Sequence, residues 1–454
     1  MFSRKFTSLS QGLKLLTAAA FGLFLVGCDD DDDSAPRSAD PKVQVVHASP
    51  DAPAVNLFAA GASLAENVDY AQATARLQVT AGTLNVDVQA ILPDGTTPSV
   101  IGPVDLELEG DTQYTVLAVN DVTEIAPLII TRDDVEVSEG FVRATVLHAA
   151  PDAPQVDVYV TAPGADLADA SPLGSIVYQE TLGPVEVEGG NYQVRVAVAG
   201  TTTVVYDSGT IPLPAGADLT IVAIENTLTG DAPINLLALD DNGGSIIQDV
   251  NATADLRVVH ASPDAPAVDV VVNDGFQAPL VEDLAFAEAT DFVGVPSDTY
   301  NVKVVPANAT TPVVIDADLA LEQGVNYSVL AVDVLANIEP LVLVEDRREV
   351  ATEAKLQVVH ASPAAQTVDV YLTAVGADIT NLDPTIPGFQ FKDTTDGFLS
   401  VPAGQYDVTV TGTGSKDPAI GPATLTLEAG GIYTIVARDG DQGAAPTVLL
   451  LDDF

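Results

Sequence analysis

Tryptophan is absent from the 454-residue chain, methionine and cysteine occur once each, and histidine occurs four times. A single cysteine excludes internal disulfides, so each folded domain has to be stabilised by its own apolar core. Hydrophobic residues can supply such a core, because they make up 47% of the chain. The HExxH, CxxC and GxSxG patterns are also absent, so the sequence shows no signature of a metalloprotease, a zinc ribbon or a serine hydrolase.

Basic residues are scarce, with 17 lysines and arginines against 65 aspartates and glutamates and a formal net charge of −48 at pH 7. Such a charge excludes nucleic acid and anionic membrane surfaces as favourable partners. The acids are dispersed along the chain, whereas a divalent cation needs several oxygen ligands that converge on one point. We therefore interpret the charge as favouring solubility, and we expect the short acidic segments 240–243 and 439–441 to be hairpin turns.

The segment 1–27 has the composition of an export signal peptide. Arg4 and Lys5 give it a positive start, and residues 15–26 form an apolar stretch too short for a convincing membrane span. The segment 25–28, Leu-Val-Gly-Cys, resembles the lipobox of bacterial lipoproteins. The alternative is an ordinary cleaved signal peptide that is followed by an unrelated cysteine.

The lipobox resemblance implies that Cys28 carries a lipid and becomes the N-terminus of the mature protein. Residues 28–41 are predicted to be an acidic flexible tether, since they contain the aspartate run 29–33 and offer no apolar face to bury. The expected location is the cell envelope, lipid-anchored and extracytoplasmic. Asp29 resembles an inner-membrane retention signal of enteric bacteria, but that rule is not general, so the choice between inner and outer membrane stays open.

One motif recurs four times and contains every histidine of the chain. Its third copy reads Val-Val-His-Ala-Ser-Pro-Asp-Ala-Pro-Ala-Val-Asp-Val, and the four copies occupy Val45–Leu57, Val146–Val158, Val258–Val270 and Val358–Val370. Successive motif histidines are about 100 residues apart, at His47, His148, His260 and His360. Units of this length indicate whole domains in series, since solenoid repeats are shorter. We predict four domains that each fold alone, at 42–137, 139–245, 254–348 and 354–454.

Alternating and apolar runs between turn residues predict an all-β fold. Each unit has roughly seven short strands separated by Gly, Pro and Asp turns, and no helix-length pattern occurs outside the signal peptide. The runs Tyr114–Val119 and Tyr327–Val332 are almost wholly apolar, as expected for a central strand that is covered on both faces. We predict four tandem antiparallel β-sandwich domains, with a topology that is either immunoglobulin-like or prealbumin-like.

The string His260–Val270 resembles the hallmark of a prokaryotic family known as domain of unknown function 4397. The similarity extends to all four units, and thus to nearly all of the chain after the tether. It implies a secreted or surface-attached protein built from repeats, and it implies no catalytic mechanism. The second copy departs from the string at Ala150 and the fourth at Ala364 and Gln366, so the residues replaced there are dispensable in some copies.

A serine nucleophile is the enzymatic hypothesis that the motif allows. Such a mechanism would use Ser49, with His47 as the base and Asp51 behind it. However, the second copy lacks the serine and the fourth lacks the aspartate. Residues so close together in an extended segment also rarely converge as a triad, so we predict that the protein is not an enzyme and needs no cofactor.

The motif histidines and aspartates are predicted to be structural. Each histidine ends the first strand of its unit, where its ring can bond to the backbone of the proline-rich turn, while the aspartates act as Asx caps in that turn. The aspartates concerned are Asp51, Asp152 and Asp264. A shared ligand or an interdomain contact is the alternative role. A metal site is not expected, because one histidine per domain leaves only carboxylates to complete a ligand set.

Three tyrosines at matching positions after turns are also predicted to be structural rather than sugar-binding. Each ring is expected to cover the edge of the core, with its hydroxyl bonded to backbone. The three are Tyr192, Tyr300 and Tyr406.

Two classes of function remain. The leading hypothesis is a non-enzymatic envelope lipoprotein that presents repeated β-sandwich domains for adhesion or for contact with a partner or matrix. Besides the membrane that holds its lipid, its partner would be an envelope or extracellular protein or a glycan. The alternative is an envelope lipoprotein that binds a small ligand or a divalent cation.

Overall fold

A computed structural model describes residues 39–441 and 444–453. The predicted signal peptide, Cys28 and most of the predicted tether lie outside the described residues. From Asp40 onward the chain forms one compact unit. Within the described ranges, no helix has the length and apolar character needed to cross a membrane.

The strands fall into four groups that follow the four motif copies. Repeat 1 contains β1 (Lys42–His47), β2 (Val55–Ala59), β3 (Ala62–Val68), β4 (Leu77–Gln78), β5 (Gly82–Ala90), β6 (Ser99–Leu108), β7 (Thr112–Val119) and β8 (Ala126–Asp133). Repeat 2 contains β9 (Phe141–His148), β10 (Val156–Thr161), β11 (Gly174–Ile176), β12 (Thr181–Glu188), β13 (Gly190–Val198), β14 (Val204–Leu213), β15 (Asp218–Glu225), β16 (Ile234–Asp240) and β17 (Gly243–Ile247).

The second half of the chain repeats this arrangement. Repeat 3 contains β18 (Ala254–His260), β19 (Val268–Val272), β20 (Val281–Leu284), β21 (Val293–Val295), β22 (Asp298–Pro306), β23 (Ile315–Leu321), β24 (Asn326–Val332) and β25 (Glu339–Glu345). Repeat 4 contains β26 (Ala354–His360), β27 (Val368–Ala374), β28 (Ile386–Phe389), β29 (Leu399–Val401), β30 (Gly404–Gly412), β31 (Pro418–Leu427), β32 (Ile432–Arg438) and β33 (Thr447–Asp452). Short 3-10 helices lie at Val122–Glu124, Leu167–Asp169, Leu335–Asn337 and Ile379–Asn381.

Each repeat is a sandwich of two sheets with the same strand order. In repeat 1 the sheets run β4-β1-β7-β8 and β3-β2-β5-β6, and repeats 2, 3 and 4 follow the same plan, with β17 added at the edge in repeat 2. We call the sheet that contains the first strand of a repeat its motif sheet, because that strand ends at the motif histidine. Side chains from both sheets form the core of the sandwich, for example Val45 and Val116 facing Leu57 and Val88 in repeat 1.

The predicted fold class is confirmed, since the chain forms four tandem all-β sandwich domains. The first and seventh strands of each repeat pair in parallel, however, which the antiparallel prediction missed. The first strand lies between the fourth and the seventh, whereas an immunoglobulin sandwich places it beside the second. This strand order excludes the immunoglobulin-like topology of the two that were predicted.

Strand number and one boundary differ from the sequence prediction. The repeats have eight strands, and nine in repeat 2, rather than about seven. Short strands such as Leu77–Gln78 offer too little alternation to be recognised. The predicted hairpin at 240–243 is present, with Asp240 paired to Gly243, but the strand it opens runs to Ile247, past the predicted domain end at 245.

Candidate functional site

The four motif loops connect the first strand to the second in each repeat and hold the histidine rings in one arrangement. We define the loops as residues 47–54, 148–155, 260–267 and 360–367. Each ring is at most 1% exposed, and its Nε2 donates to the carbonyl oxygen six residues ahead. The acceptors lie at 3.0, 3.2, 3.0 and 3.1 Å, on Pro53, Pro154, Pro266 and Gln366 respectively.

The second ring nitrogen accepts a hydrogen bond in three of the loops. In repeats 2, 3 and 4, Nδ1 lies 3.3–3.4 Å from the backbone N–H two residues ahead, on Ala150, Ser262 and Ser362. A proton on Nδ1 would break this bond and place a charge in a buried site. Burial accordingly lowers the pKa of all four histidines. The rings are therefore held neutral.

Two motif aspartates cap a distant loop rather than their own turn. Asp51 Oδ1 accepts from the N–H of Val122 at 2.7 Å, and Asp264 Oδ1 accepts from the N–H of Leu335 at 2.6 Å. Both donors begin the 3-10 helix that follows the seventh strand. Asp152, in repeat 2, is exposed at the tip of its loop. The predicted local Asx turn is therefore wrong for repeats 1 and 3.

Ser49, His47 and Asp51 are close in the chain, but their side chains do not form the hydrogen-bonded series that a catalytic triad needs. His47 Nε2 is directed at the Pro53 carbonyl, and the Asp51 carboxylate is used by Val122. Within the described ranges, the buried Ser49 hydroxyl has no hydrogen-bond partner. A nucleophile needs a base within hydrogen-bond reach, and this geometry does not provide one.

The three tyrosines named above make the backbone contacts that the sequence suggested. Each hydroxyl donates to the carbonyl oxygen four residues earlier, at 2.7–2.8 Å. These pairs are Tyr192 with Glu188, Tyr300 with Pro296, and Tyr406 with Pro402. The hydroxyls thereby close the turns that precede the fifth strands.

An aromatic ring lies edge-on to every motif histidine, and sequence reasoning missed it. The ring centroids are 6.0–6.3 Å apart, with interplanar angles of 74–88°. The four partners are Tyr70, Tyr178, Phe286 and Phe391. Because the number of residues between histidine and aromatic differs from repeat to repeat, the motif alignment does not bring these positions into register.

The aromatic partners in repeats 1 and 2 reach across to the neighbouring repeat. Tyr70 donates to the Glu225 carbonyl at 2.7 Å, and Tyr178 donates to Asn120 Oδ1 at 2.5 Å. Glu225 ends β15, and Asn120 directly follows β7, so the two contacts are related by an approximate two-fold axis. The motif loops therefore lie at an interface between repeats.

Apolar side chains on the outer faces of the motif sheets complete this interface. In the first pair, Val46 and Leu117 of repeat 1 pack with Leu147 and Val222 of repeat 2, and all four are fully buried. An equivalent cluster joins repeats 3 and 4 and contains Val259, Leu330, Val332, Val359 and Val436. The chain thus consists of two sandwich pairs, 1–2 and 3–4.

Charged side chains inside each pair interface are matched to one another. Between repeats 1 and 2, Asp218 forms ion pairs with Arg143 at 2.7 Å and Arg132 at 3.0 Å. Burial pushes the pKa of Asp218 upward, but these arginines outweigh it and hold that pKa below its usual value. Between repeats 3 and 4, Arg257 is bound by Glu345 at 3.0 Å and Asp453 at 2.8 Å.

Acidic side chains gather at the rim of the 1–2 interface. Burial, followed by repulsion from neighbouring carboxylates, raises the pKa of Asp121 and Glu225. In pair 3–4 the position of Glu225 is occupied by Asp439, and Arg438, the residue before it, has its guanidinium 4.8 Å from the Phe286 ring centroid. Among residues 39–441 and 444–453, no group of three or more His, Cys, Asp or Glu side chains is arranged to hold a metal ion.

Cavities inside the sandwiches are small and apolar. Those in repeats 4, 2 and 1 have volumes of about 20, 60 and 40 Å³, enough for a few water molecules at most. An open cleft of about 380 Å³ lies between repeats 3 and 4, where the guanidinium carbons of Arg257 and Arg347 lie 4.5 and 3.9 Å from the ring centroid of Phe292. Charged side chains of this cleft pair with one another, since Asp453 forms an ion pair with Arg257.

The motif loop of repeat 1 holds a segment from the linker between repeats 3 and 4. Arg348 Nη1 donates to the carbonyls of Pro50 at 3.1 Å and Ala52 at 2.9 Å, while Nη2 forms an ion pair with Asp69. Three residues further on, the N–H of Ala351 donates to the Asp51 carbonyl at 2.8 Å. The loop therefore presents three consecutive carbonyls to a bound segment.

Comparisons with known proteins give a family but no activity. No curated protein matches the chain. Among solved structures it is similar to the Bacillus anthracis TIE protein at 11% identity, with a TM-score of 0.15. That match covers 85% of this chain and 65% of the other, so this chain spans less than two thirds of it. The family model described as Domain of unknown function (DUF4397) matches residues 41–159, 145–250, 254–371 and 374–454, and the chain belongs to that family.

Proposed function

We propose that this protein is a non-enzymatic envelope lipoprotein that presents two pairs of β-sandwiches for adhesion or for contact with a partner. The observation that carries the proposal is the use of a motif loop inside the molecule itself. In repeat 1 that loop binds the backbone and an arginine of a distant segment, as a protein-recognition surface does. A loop that recognises a segment of its own chain has the chemistry to recognise a segment of another.

Further support comes from what the motif side chains already bond to. The histidine rings are neutral and engaged with backbone, and Asp51 and Asp264 hold the loops that follow the seventh strands. Their hydrogen bonds fix the shape of the loops. The strongly acidic surface favours partners with basic groups.

Anchoring at the membrane through a lipid on Cys28 is part of this proposal. It rests on the sequence of the first 28 residues, where an apolar stretch ends in Leu-Val-Gly-Cys. A lipid at that position, followed by the acidic segment 29–33, would hold the sandwiches on the extracytoplasmic side of a membrane.

The test is a binding screen that separates the two classes of function. The compact unit from residue 40 is applied to a glycan array and to immobilised envelope proteins, and calorimetry is run with calcium and with pooled small solutes. Saturable binding to a protein or glycan, with no calcium response, supports the proposal. Saturable binding of calcium or a solute, with no macromolecular partner, overturns it in favour of the ligand-binding alternative.

A further inference from the structure

Repeats 1 and 3 carry the same nine residues, His47–Val55 and His260–Val268, which comprise the motif loop and the first residue of the second strand. The loops also share two internal bonds, although among the described residues Nδ1 accepts a hydrogen bond only in repeat 3 of these two, from Ser262. Both histidines donate to their prolyl carbonyl at 3.0 Å, and both aspartates accept from the first N–H of a 3-10 helix. The backbone of the repeat 3 loop is therefore held as in repeat 1.

The two loops differ in what covers them. In repeat 1, Pro50 and Ala52 are buried under the linker segment, and Val350 of that segment is 2% exposed. In repeat 3 the equivalent Pro263 is half-buried and Ala265 is buried, but Asp264 and Pro266 are exposed, whereas their counterparts in repeat 1, Asp51 and Pro53, are half-buried and buried. Within the described part of the chain, no hydrogen bond reaches the carbonyls of Pro263 and Ala265, which correspond to the two that receive Arg348.

We propose that the motif loop of repeat 3 is a docking site for an extended, arginine-bearing segment of a partner protein. This inference rests on the proposed function and names the chemistry of the partner. The bound segment in repeat 1 shows what is recognised: a guanidinium for two carbonyls, an apolar residue, and a backbone N–H three residues after the arginine. A guanidinium suits this task because its donors form a fixed fork.

The acidic groups around the repeat 3 loop complement such an arginine. Ala285 replaces Asp69, but Glu288 stands where repeat 1 has Gln72, as shown by the same bond to the N–H three residues earlier. With Asp264, the loop is flanked by two carboxylates. The guanidinium of Arg438 lies 4.8 Å from the ring centroid of Phe286 beside this loop, but it donates to the Asp439 carbonyl and the Asp441 carboxylate rather than to the loop carbonyls.

A second copy of the chain is a poor occupant, because its own Arg348 is already bound by the loop of its repeat 1. The segment equivalent to the Arg348 linker lies between repeats 1 and 2, at 134–140, and it contains Glu136 and Glu139 but no arginine. Its charge would be repelled by Asp264 and Glu288. The remaining loops fit less well, since Ala153 closes the turn of repeat 2 by donating to Ala150, and repeat 4 has Ala364 in place of the aspartate.

The probe for this site is a labelled peptide of the chain's own linker, Asp346–Glu353. Fluorescence anisotropy against the compact unit from residue 40 should show saturable binding of one peptide per chain, because the loop of repeat 1 is already occupied. A peptide with Arg348→Gln, which keeps Arg347, should bind at least tenfold more weakly. Equal binding of the two peptides, or no saturable binding, overturns the proposal.

Variants of the protein locate the site. Asp264→Lys should abolish binding, whereas Asp152→Lys, at the exposed tip of the repeat 2 loop, should leave it unchanged. Since Asp264 also caps Leu335, a photoreactive peptide on the unmodified protein provides an independent readout, and it should crosslink within residues 262–266. Crosslinks elsewhere contradict the proposal, as does self-association of the chain that Asp264→Lys prevents. If the peptide fails while the array finds a partner, only this inference is lost.

Discussion

At the scale of single residues, the motif encodes a loop conformation. One histidine closes the loop onto a carbonyl six residues ahead, and its ring packs against an aromatic residue that lies at the pair interface. The motif aspartate ties the same loop to the end of the seventh strand in repeats 1 and 3. The histidine is therefore expected to contribute to stability rather than to chemistry.

Replacing His260 with alanine should lower the unfolding free energy by about 1–3 kcal/mol, because the Pro266 carbonyl and the Ser262 N–H lose their partner. Calorimetric melts of the compact unit measure the loss. Added zinc or calcium should not change the melting temperature of the wild type or the variant. A metal-dependent rise that the variant lacks would instead identify His260 as a ligand.

Acid should weaken the fold in a window set by these histidines. Their pKa values are lowered in the folded protein from 6.5, so the unfolded chain takes up protons first as the pH falls. Their contribution is complete above about pH 6.5 and is lost progressively below it. Melts between about pH 7.5 and pH 5.5 should show a falling melting temperature, with a smaller slope in His260→Ala.

Carboxylates with raised pKa values act in the opposite direction. Asp121, Glu225 and Glu353 are more easily protonated in the folded protein, mainly because they are buried, so they add stability as the pH falls through their raised pKa values. Their unfolded values are 3.8 and 4.5, well below that of histidine. A melting temperature that rises on acidification from neutral pH would contradict the dominance of the histidines.

At the scale of elements, the motif sheet is covered on both faces by two different cores. One face packs on the second sheet of its own repeat, and the other packs on the motif sheet of the neighbour. β7 is accordingly buried along nearly its whole length, whereas β8, apart from the buried Arg132, alternates between exposed and half-buried residues. A change that disrupts the motif sheet therefore destabilises both its own sandwich and the neighbouring one.

Leu117→Asp should separate repeats 1 and 2, because it places a charge in the fully buried interface cluster. The expected cost exceeds about 3 kcal/mol of unfolding free energy. Hydrogen exchange of the backbone amides in β7 and β15 should then increase. Ile129→Asp is the matched control on the same sheet: its side chain is 39% exposed, and it should change stability by less than about 1 kcal/mol.

Much of this architecture can be predicted from the sequence. The pairing of the repeats and the Arg348 contact cannot, for physical reasons. Histidine spacing and strand alternation suffice for four β-sandwiches, and the apolar runs Tyr114–Val119 and Tyr327–Val332 correctly indicate strands covered twice. The sequence shows that an apolar side chain is buried, but it does not show whether the same domain or a neighbouring one covers it. The pairing of the repeats was therefore not predictable. Arg348 escaped notice because its partners are nearly three hundred residues away.

At the scale of the whole molecule, the linker between repeats 3 and 4 fastens one sandwich pair to the other. Arg348 and Ala351 bind the loop of repeat 1, and Arg348 also lies 5.7 Å from the Tyr70 ring centroid. The two pairs are also joined where the chain passes from repeat 2 to repeat 3, and there Gln323 donates to the Asp249 carbonyl. The Arg348 contact is thus a second connection between the pairs.

Arg348→Ala should loosen the two pairs without unfolding either. The loss of two hydrogen bonds and an ion pair from a charged donor should cost about 1.5–3 kcal/mol of contact energy. Small-angle scattering should show a larger radius of gyration, with unchanged circular dichroism. Arg348→Lys keeps the charge but not the fork, and it should give an intermediate value. Unchanged scattering in both variants would show that other contacts hold the pairs.

Membrane attachment is the second prediction for the whole protein. Cys28→Ser removes the thiol that a lipid would occupy, so the protein should move from the membrane to the soluble fraction on expression in a bacterium. Immunoblots of membranes washed with high salt measure the distribution. A variant that still sediments with washed membranes would show that the lipid is not what holds it.

The burial of one face of every motif sheet against a neighbour bears on how such a chain can grow or shrink. Repeats 1 and 3 share the sequence of their motif loops, and both have a 3-10 helix after the seventh strand, at Val122–Glu124 and Leu335–Asn337. Repeats 2 and 4 instead have a 3-10 helix after the second strand, at Leu167–Asp169 and Ile379–Asn381. In these features repeat 1 resembles repeat 3, and repeat 2 resembles repeat 4. A gene that lost one sandwich would leave its partner with an apolar surface in water, so we expect duplication and deletion to be tolerated two domains at a time.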